Sequence, residues 1–314
     1  VGFGRRGLRP CDTIPLDDAM KTSTNKALSY TALVGPALLV YLSVILFPIV
    51  FNAGFSLTEW AGVGTPKFVG VEHYTRMFSD PVFLHGLRNN LLVVAVSVFG
   101  QIPLGFVLAY ILYRRMIHGT HFFEIMIFLP ITISPVVVAI LWNQIFSPSG
   151  IWTALMRGIT GDPRWIMTVF ENRTLAIAPI LFVILWMYTG LYMVIYIANL
   201  QKIDPELLEA ATIDGASEWQ ILGHIILPAM VNILFTTAVF AIAGSLKSFD
   251  LIWAFTQGGP AHYTEVIAIY MYLNTFKYYH YGYGSAISMV IIGLSIGLIY
   301  ILRSVFRVVE AKYE

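Results

Sequence analysis

The sequence predicts an all-α, polytopic membrane protein with six transmembrane helices. Three observations carry this: six long apolar runs without a charge, a composition of 57% hydrophobic against 12% charged residues, and a mean hydropathy of +0.73 over 314 residues. No ordinary water-soluble domain buries so large an apolar share. A net charge of +1, from 19 basic and 18 acidic residues, gives no general attraction to nucleic acid or another polyanion. The single cysteine, Cys11, excludes an internal disulfide and a cysteine-rich metal site. The seven histidines show no paired metal-ligand spacing, so no metal site is expected.

A bilayer core about 30 Å thick needs roughly 20 apolar residues at about 1.5 Å of rise each. The runs 33–51, 91–113, 125–146, 175–200, 225–246 and 284–302 meet that need, and none contains Asp, Glu, Lys or Arg. The expected organisation is an N-terminal tail of residues 1–29, a six-span domain of residues 30–308 and a C-terminal tail of residues 309–314. The first tail carries three arginines and three aspartates without a small-residue cleavage pattern, so it is expected to remain rather than to be removed as a signal peptide. Residues 266–276 are apolar but too short to cross, which suits an interfacial or partly buried helix. Placing both termini in the cytoplasm puts 11 of the 19 Lys and Arg residues on that side, with the pair Arg114–Arg115 as the clearest marker. No ionisable residue lies at mid-span, where proton- and ion-coupled carriers usually need one; the polar residues there are groups such as Gln101, Asn143, Thr189 and Thr237. Prolines such as Pro48, Pro103, Pro130, Pro135 and Pro228 remove helix hydrogen bonds in or beside the spans, either as packing kinks or beside a cavity.

The segment 201–228, QKIDPELLEAATIDGASEWQILGHIILP, is not a span. Pro205 suits a helix start, residues 206–211 are helix formers, Gly215 suits a left-handed stop and Ser217 suits an N-cap. Two brief helices joined by a turn are therefore expected at the membrane surface. Ala210, Ala211, Gly215 and Ala216 keep one side of the turn small enough for another protein to approach the backbone, and Glu209 and Asp214 offer charge. It reads as a docking element.

Residues 209–228 resemble the EAA signature of permease subunits of binding-protein-dependent ABC importers. Glu209, Ala210, Ala211, Gly215, Ile225, Leu227 and Pro228 stand at the family spacing, with Leu222 where relatives often carry Phe. SLKSFDLIWAFTQGGPAHYTE (245–265) and FVGVEHYTRMFSDPVFLHGLRNN (68–90) are similar to the first of two permeases in the sugar-importer branch, which includes the maltose and glycerol-3-phosphate systems. The resemblance implies a type I ABC importer permease fold. It implies that Glu209, Ala210, Ala211, Asp214, Gly215, Ile225, Leu227 and Pro228 belong to the coupling loop, seated in a cleft of a cytoplasmic ATPase. The partners implied are a second, related permease, two ATPase subunits and an extracytoplasmic solute-binding protein, in the bacterial inner membrane. The chain has no G-x-x-x-x-G-K-[ST] phosphate loop, so it is not expected to be an enzyme by itself or to bind a cofactor. ATP and Mg belong on the partner ATPase.

Sugar recognition takes aromatic faces together with amide or hydroxyl groups. The candidate substrate-path residues are Trp186, Tyr188 and Tyr192 in the fourth run, Ser245, Lys247 and Ser248 at the end of the fifth, and Gly258 and Gly259 beyond it. Alignment through the two motifs puts Ser245 and Ser248 where the maltose permease has asparagines facing its sugar. The tyrosines also fit an aromatic belt or lipid-facing packing, and the QGGP stretch also fits an ordinary turn. Lys247 and Asp250, three apart on one helical face, can neutralise each other. The expected function is transport of a sugar or oligosaccharide. The alternatives are the same importer class for a non-sugar polar solute such as a glycerol phosphate, or a secondary carrier, which would have no use for a coupling loop.

Overall fold

The computed structural model describes residues 33–313; Cys11 and the predicted tail of residues 1–29 lie outside the described residues. The chain divides into two units at Gly54 and Phe55. The first holds all but the last residue of helix α1 (Leu33–Phe55), a predominantly apolar helix of 23 residues, which at about 1.5 Å per residue is long enough for a bilayer core. It contains a π-turn over Leu42–Leu46, where the Phe47 amide bonds to the Leu42 carbonyl. Pro48 follows. A proline has no N–H to give, and its ring presses on the carbonyl four residues back; a widened turn moves that carbonyl aside. The same device recurs before Pro103, with a π-turn over Ser97–Gln101, and before Pro228, with one over Leu222–Ile226.

The second unit opens with a two-stranded antiparallel ribbon, β1 (Thr58–Glu59) and β2 (Lys67–Phe68), followed by α2 (Glu72–Ser79) and α3 (Pro81–Tyr113). Asp80 starts α3: its side chain accepts from the Val82 amide at 2.8 Å, and Pro81 occupies the first turn, where a missing N–H costs nothing. The helices that follow are α4 (Thr120–Thr132), α5 (Pro135–Ile145), α6 (Ile151–Thr160), α7 (Ala178–Leu200), α8 (Pro205–Ile213), α9 (Glu218–Thr256), α10 (Ile267–Tyr272) and α11 (Tyr281–Tyr313). Among the described residues five helices are long and apolar enough to cross a membrane, or six spans with the bent pair α4–α5 counted as one.

That pair corrects the expectation of a continuous span over 125–146. α4 and α5 meet at 97°. Ser134 is held at φ −54° and ψ 132° because the Pro135 ring excludes the α conformation from the residue before it, and Ile133 is extended as well. A second correction concerns the brief helix expected after Ser217, which is instead the start of the long α9. The short helix expected within 266–276 is present as α10, and its residues Ile267 and Ile269 are fully buried, so it belongs to the core and not to the surface.

Helix α7 is the centre of the unit, with Ile180, Val183, Met187, Met193, Tyr196 and Leu200 buried along it. Glycines allow its neighbours close. A Cβ on Gly190 would collide with the Ile127 carbonyl of α4, and one on Gly105 of α3 would come within 2.9 Å of the Tyr192 Cβ. Buried amides fix the register. Asn90 donates to the Ser245 carbonyl at 3.0 Å and accepts from the Ile267 amide at 2.8 Å, and Gln101 donates to the Ile184 carbonyl at 2.9 Å. Each satisfies backbone groups that lipid or apolar side chains could not.

Candidate functional site

Two constellations lie on α9, one at each end. At its start, Asp204 caps α8 by accepting from the Glu206 amide at 3.0 Å. The helix closes with the Gly215 amide on the Thr212 carbonyl at 3.1 Å and the Ala216 amide on the Ala211 carbonyl at 2.9 Å, while Gly215 takes φ +80°. This is the left-handed stop that glycine adopts at least cost. Gln220 then reaches back to the Ser217 amide at 2.7 Å and starts α9.

Only Leu208 of α8 is buried. Glu209, Ala210, Asp214 and Gly215 are exposed, together with the apolar Leu207, Ile213 at 85% and Trp219 at 80% exposure. Isolated surface apolar residues are ordinary, but three large ones around one turn, beside small residues, form an unfinished contact surface. An open groove of about 350 Å³ runs beside it, lined by Arg114, Leu208, Glu209, Thr212 and Ile213. Ile225, Leu227 and Pro228 are not part of this face. They are half-buried inside α9, where Ile225 packs against the core and Pro228 follows the π-turn.

Sequence reading missed the group that holds this element to α3. The Glu218 carboxylate forms an ion pair with the Arg114 guanidinium and accepts from Arg114 Nε at 3.2 Å and from the Tyr110 hydroxyl at 2.8 Å. Hydrogen bonding to Glu218 raises the Arg114 pKa further above its ordinary value. The signal was partial, because Arg114 was visible as a charge at the end of a span but its partner is 104 residues away.

At the other end, α9 breaks after Leu246 and resumes at Asp250. The break opens a cavity of about 220 Å³ lined by Tyr188 and Tyr192 of α7, Ser97 and Gln101 of α3, and Ser245, Lys247, Ser248 and Asp250 of α9. Of the eight candidate residues, Tyr188, Tyr192, Ser245, Lys247 and Ser248 therefore come together. Ser245 is buried, and its hydroxyl donates to the Ser97 hydroxyl at 2.9 Å. Lys247 and Asp250 form no ion pair among the described residues, contrary to the expected neutralisation. The helical spacing that would have paired them is lost in the break. Asp250 is thus a lining residue that sequence reading assigned only as a partner for Lys247.

Trp186 does not line the cavity; it lies in an aromatic cluster, edge-on to Trp142 at 5.5 Å. Gly258 and Gly259 lie in the following turn, where Thr264 donates through its hydroxyl to the Gly259 carbonyl at 2.8 Å and through its amide to the Gly258 carbonyl at 3.3 Å. Beneath that turn Glu265 is buried, paired with His262, and burial pushes its carboxyl above the usual range. Asn89 straps the turn to α3 through the Tyr263 and Glu265 carbonyls at 2.9 and 2.8 Å.

Residues 101–313 match the family model described as the inner membrane component of binding-protein-dependent transport systems. A probable ABC transporter permease protein of Pyrococcus horikoshii is 35% identical over 262 residues, covering 82% of this chain and 88% of that protein. The lactose transport system permease protein LacF of Rhizobium radiobacter is 33% identical over 265 residues, covering 82% of this chain and 87% of its own length. A chain in the crystal structure of a bacterial alginate ABC transporter, in complex with alginate pentasaccharide-bound periplasmic protein, superposes with a TM-score of 0.77 at 20% identity over 92% of this chain and 97% of that one.

Proposed function

The chain belongs to the inner membrane component family of binding-protein-dependent transport systems, and from that premise we propose that it lines the path of a sugar or oligosaccharide through an ATP-driven importer. It is a non-catalytic subunit. Its partners in this reading are a solute-binding protein, a second related permease and two ATPase subunits, which hold the ATP and Mg. Both termini lie in the cytoplasm, so α8 faces the ATPase and the QGGP turn faces outward.

One observation carries the reading: the exposed turn at Glu209–Gly215 leads directly into the long helix whose far, broken end lines the cavity. Residues 218–246 span roughly 40 Å at about 1.5 Å per residue. A shift of α8, driven by closure of the ATPase dimer, passes along that helix and changes the access of the cavity. Inside the cavity the phenol rings of Tyr188 and Tyr192 offer faces for C–H surfaces. Ser248, Lys247 and Asp250 offer donors and acceptors for hydroxyls.

The experiment is ATP hydrolysis and uptake in vesicles carrying the whole complex and its binding protein, with a panel of mono- and oligosaccharides and glycerol phosphates. Gly215→Trp should assemble poorly or hydrolyse ATP without transport; a fully coupled variant would show that this turn is not the interface. A second reading, an anionic solute, is favoured by Lys247, which lines the cavity and forms no ion pair among the described residues. Lys247→Gln separates the two, since an anion loses a charge-assisted bond of about 1.5–3 kcal/mol and a neutral sugar loses about 1 kcal/mol.

A further inference from the structure

We infer that Arg114 and Glu218 are positioning residues that make the coupling element move α3 and α9 together. The inference rests on the reading of α8 as the ATPase contact. Glu218 is the first residue of α9 after the Ser217 cap, so any force on α8 reaches it across the short turn 214–217. The same force also reaches α7 through residues 201–204, and Leu208 of α8 lies in one apolar core with Leu112 of α3; the cross-link adds a directed polar connection between the start of α9 and the end of α3. The carboxylate is held from two directions: Arg114 engages both of its oxygens, and the Tyr110 hydroxyl adds a bond of 2.8 Å to Oε2. Arg114 ends α3, the helix that supplies Ser97 and Gln101 to the cavity, and α9 supplies Ser245, Lys247 and Asp250. Two of the cavity's walls are thus joined at their far ends beside the contact surface.

Energetics favours a transmission role over a folding role. Arg114 and Glu218 are 23% and 51% exposed as side chains, and exposed ion pairs add little to stability. A planar guanidinium gripping both carboxylate oxygens does fix direction, which a single point contact does not.

The test uses the assembled complex with its ATPase subunits, and it needs no identified solute. Cys11 is replaced by serine and Gly244→Cys serves as the reporter: Gly244 lines the cavity and has nothing within 4 Å of an added Cβ. The readout is the ratio of N-ethylmaleimide labelling rates with and without Mg-ATP and vanadate. With the native pair that ratio should be about five-fold or more, the lower end of ordinary coupling factors. Arg114→Gln and Glu218→Gln should reduce it to less than about two-fold while the ATPase subunits still co-purify, and Tyr110→Phe should give an intermediate value. Arg114→Lys, and the exchange of Arg114→Glu with Glu218→Arg, should recover about half of the lost response, because a single bond or a turned fork restores attraction but not geometry. The inference is overturned if the single variants keep the native ratio while Gly215→Trp loses it, an outcome that leaves the docking role of α8 intact. It is also overturned if neither charge-retaining variant recovers any response. If the native pair itself gives no nucleotide-dependent change, the reading of the cavity and the clamp fall together.

Discussion

Ser245 and Lys247 are two positions apart and meet different environments. Ser245 is the penultimate residue of regular helix, and its hydroxyl is bonded to Ser97; Lys247 stands where the helix stops and lines the cavity, with no ion pair among the described residues. Two predictions belong at this scale. Tyr188→Ala should cost about 1–3 kcal/mol of contact with a stacked ring, raising the solute concentration for half-maximal uptake about 5- to 150-fold while binding-protein affinity is unchanged. Ser245→Ala should have the smaller effect, about 1 kcal/mol, because it removes one hydrogen bond that is already internal. Uptake titrations against the control Ile296→Ala, an exposed position away from the cavity, check both, and variants that all match the control would place the solute path on the partner permease. Tyr188 was legible as an aromatic residue in a span. Asp250 was not, because its role depends on a helix break that its own neighbours do not announce.

At the scale of secondary structure the segment 201–217 was legible in its local choices: the proline start, the left-handed glycine and Ser217 at the N-cap appear where their residues stand, whereas the second helix is far longer than the brief one expected. Gly215→Ala isolates the backbone part of this design. Alanine at φ +80° should cost about 1–2 kcal/mol locally while leaving the surface almost unchanged, so it should assemble with the ATPase where Gly215→Trp does not, as measured by co-purification. Between helices, Gly190 marks the closest approach. Gly190→Val should clash with the Ile127 carbonyl and destabilise the packing of α4 on α7 by about 1–3 kcal/mol, seen as a lower unfolding temperature of the solubilised complex. The same glycine was only one small residue among many in an apolar run. What makes it essential is a neighbour more than sixty residues earlier in the chain.

For the whole molecule, the proposed orientation predicts that a cysteine placed near Gly161, with Cys11 removed, is labelled from outside by an impermeant thiol reagent, and that one placed near Glu218 is labelled only after permeabilisation. The reverse pattern would overturn the orientation drawn from the Lys and Arg distribution. The sequence by itself determined the membrane class, the positions of the apolar runs and the local form of the turn at Gly215, because hydropathy and capping are properties of contiguous residues. Only the tertiary structure decided three things: that the third run bends by 97°, that Tyr188, Gln101 and Asp250 share one cavity, and that Arg114 reaches Glu218. The bend has a local cause at Pro135, and only its angle needed the structure; the cavity and the Arg114–Glu218 pair depend on which distant segments lie side by side. That is set by close packing at glycines and by the need to pair every buried backbone group, and neither condition is written in any single stretch of chain.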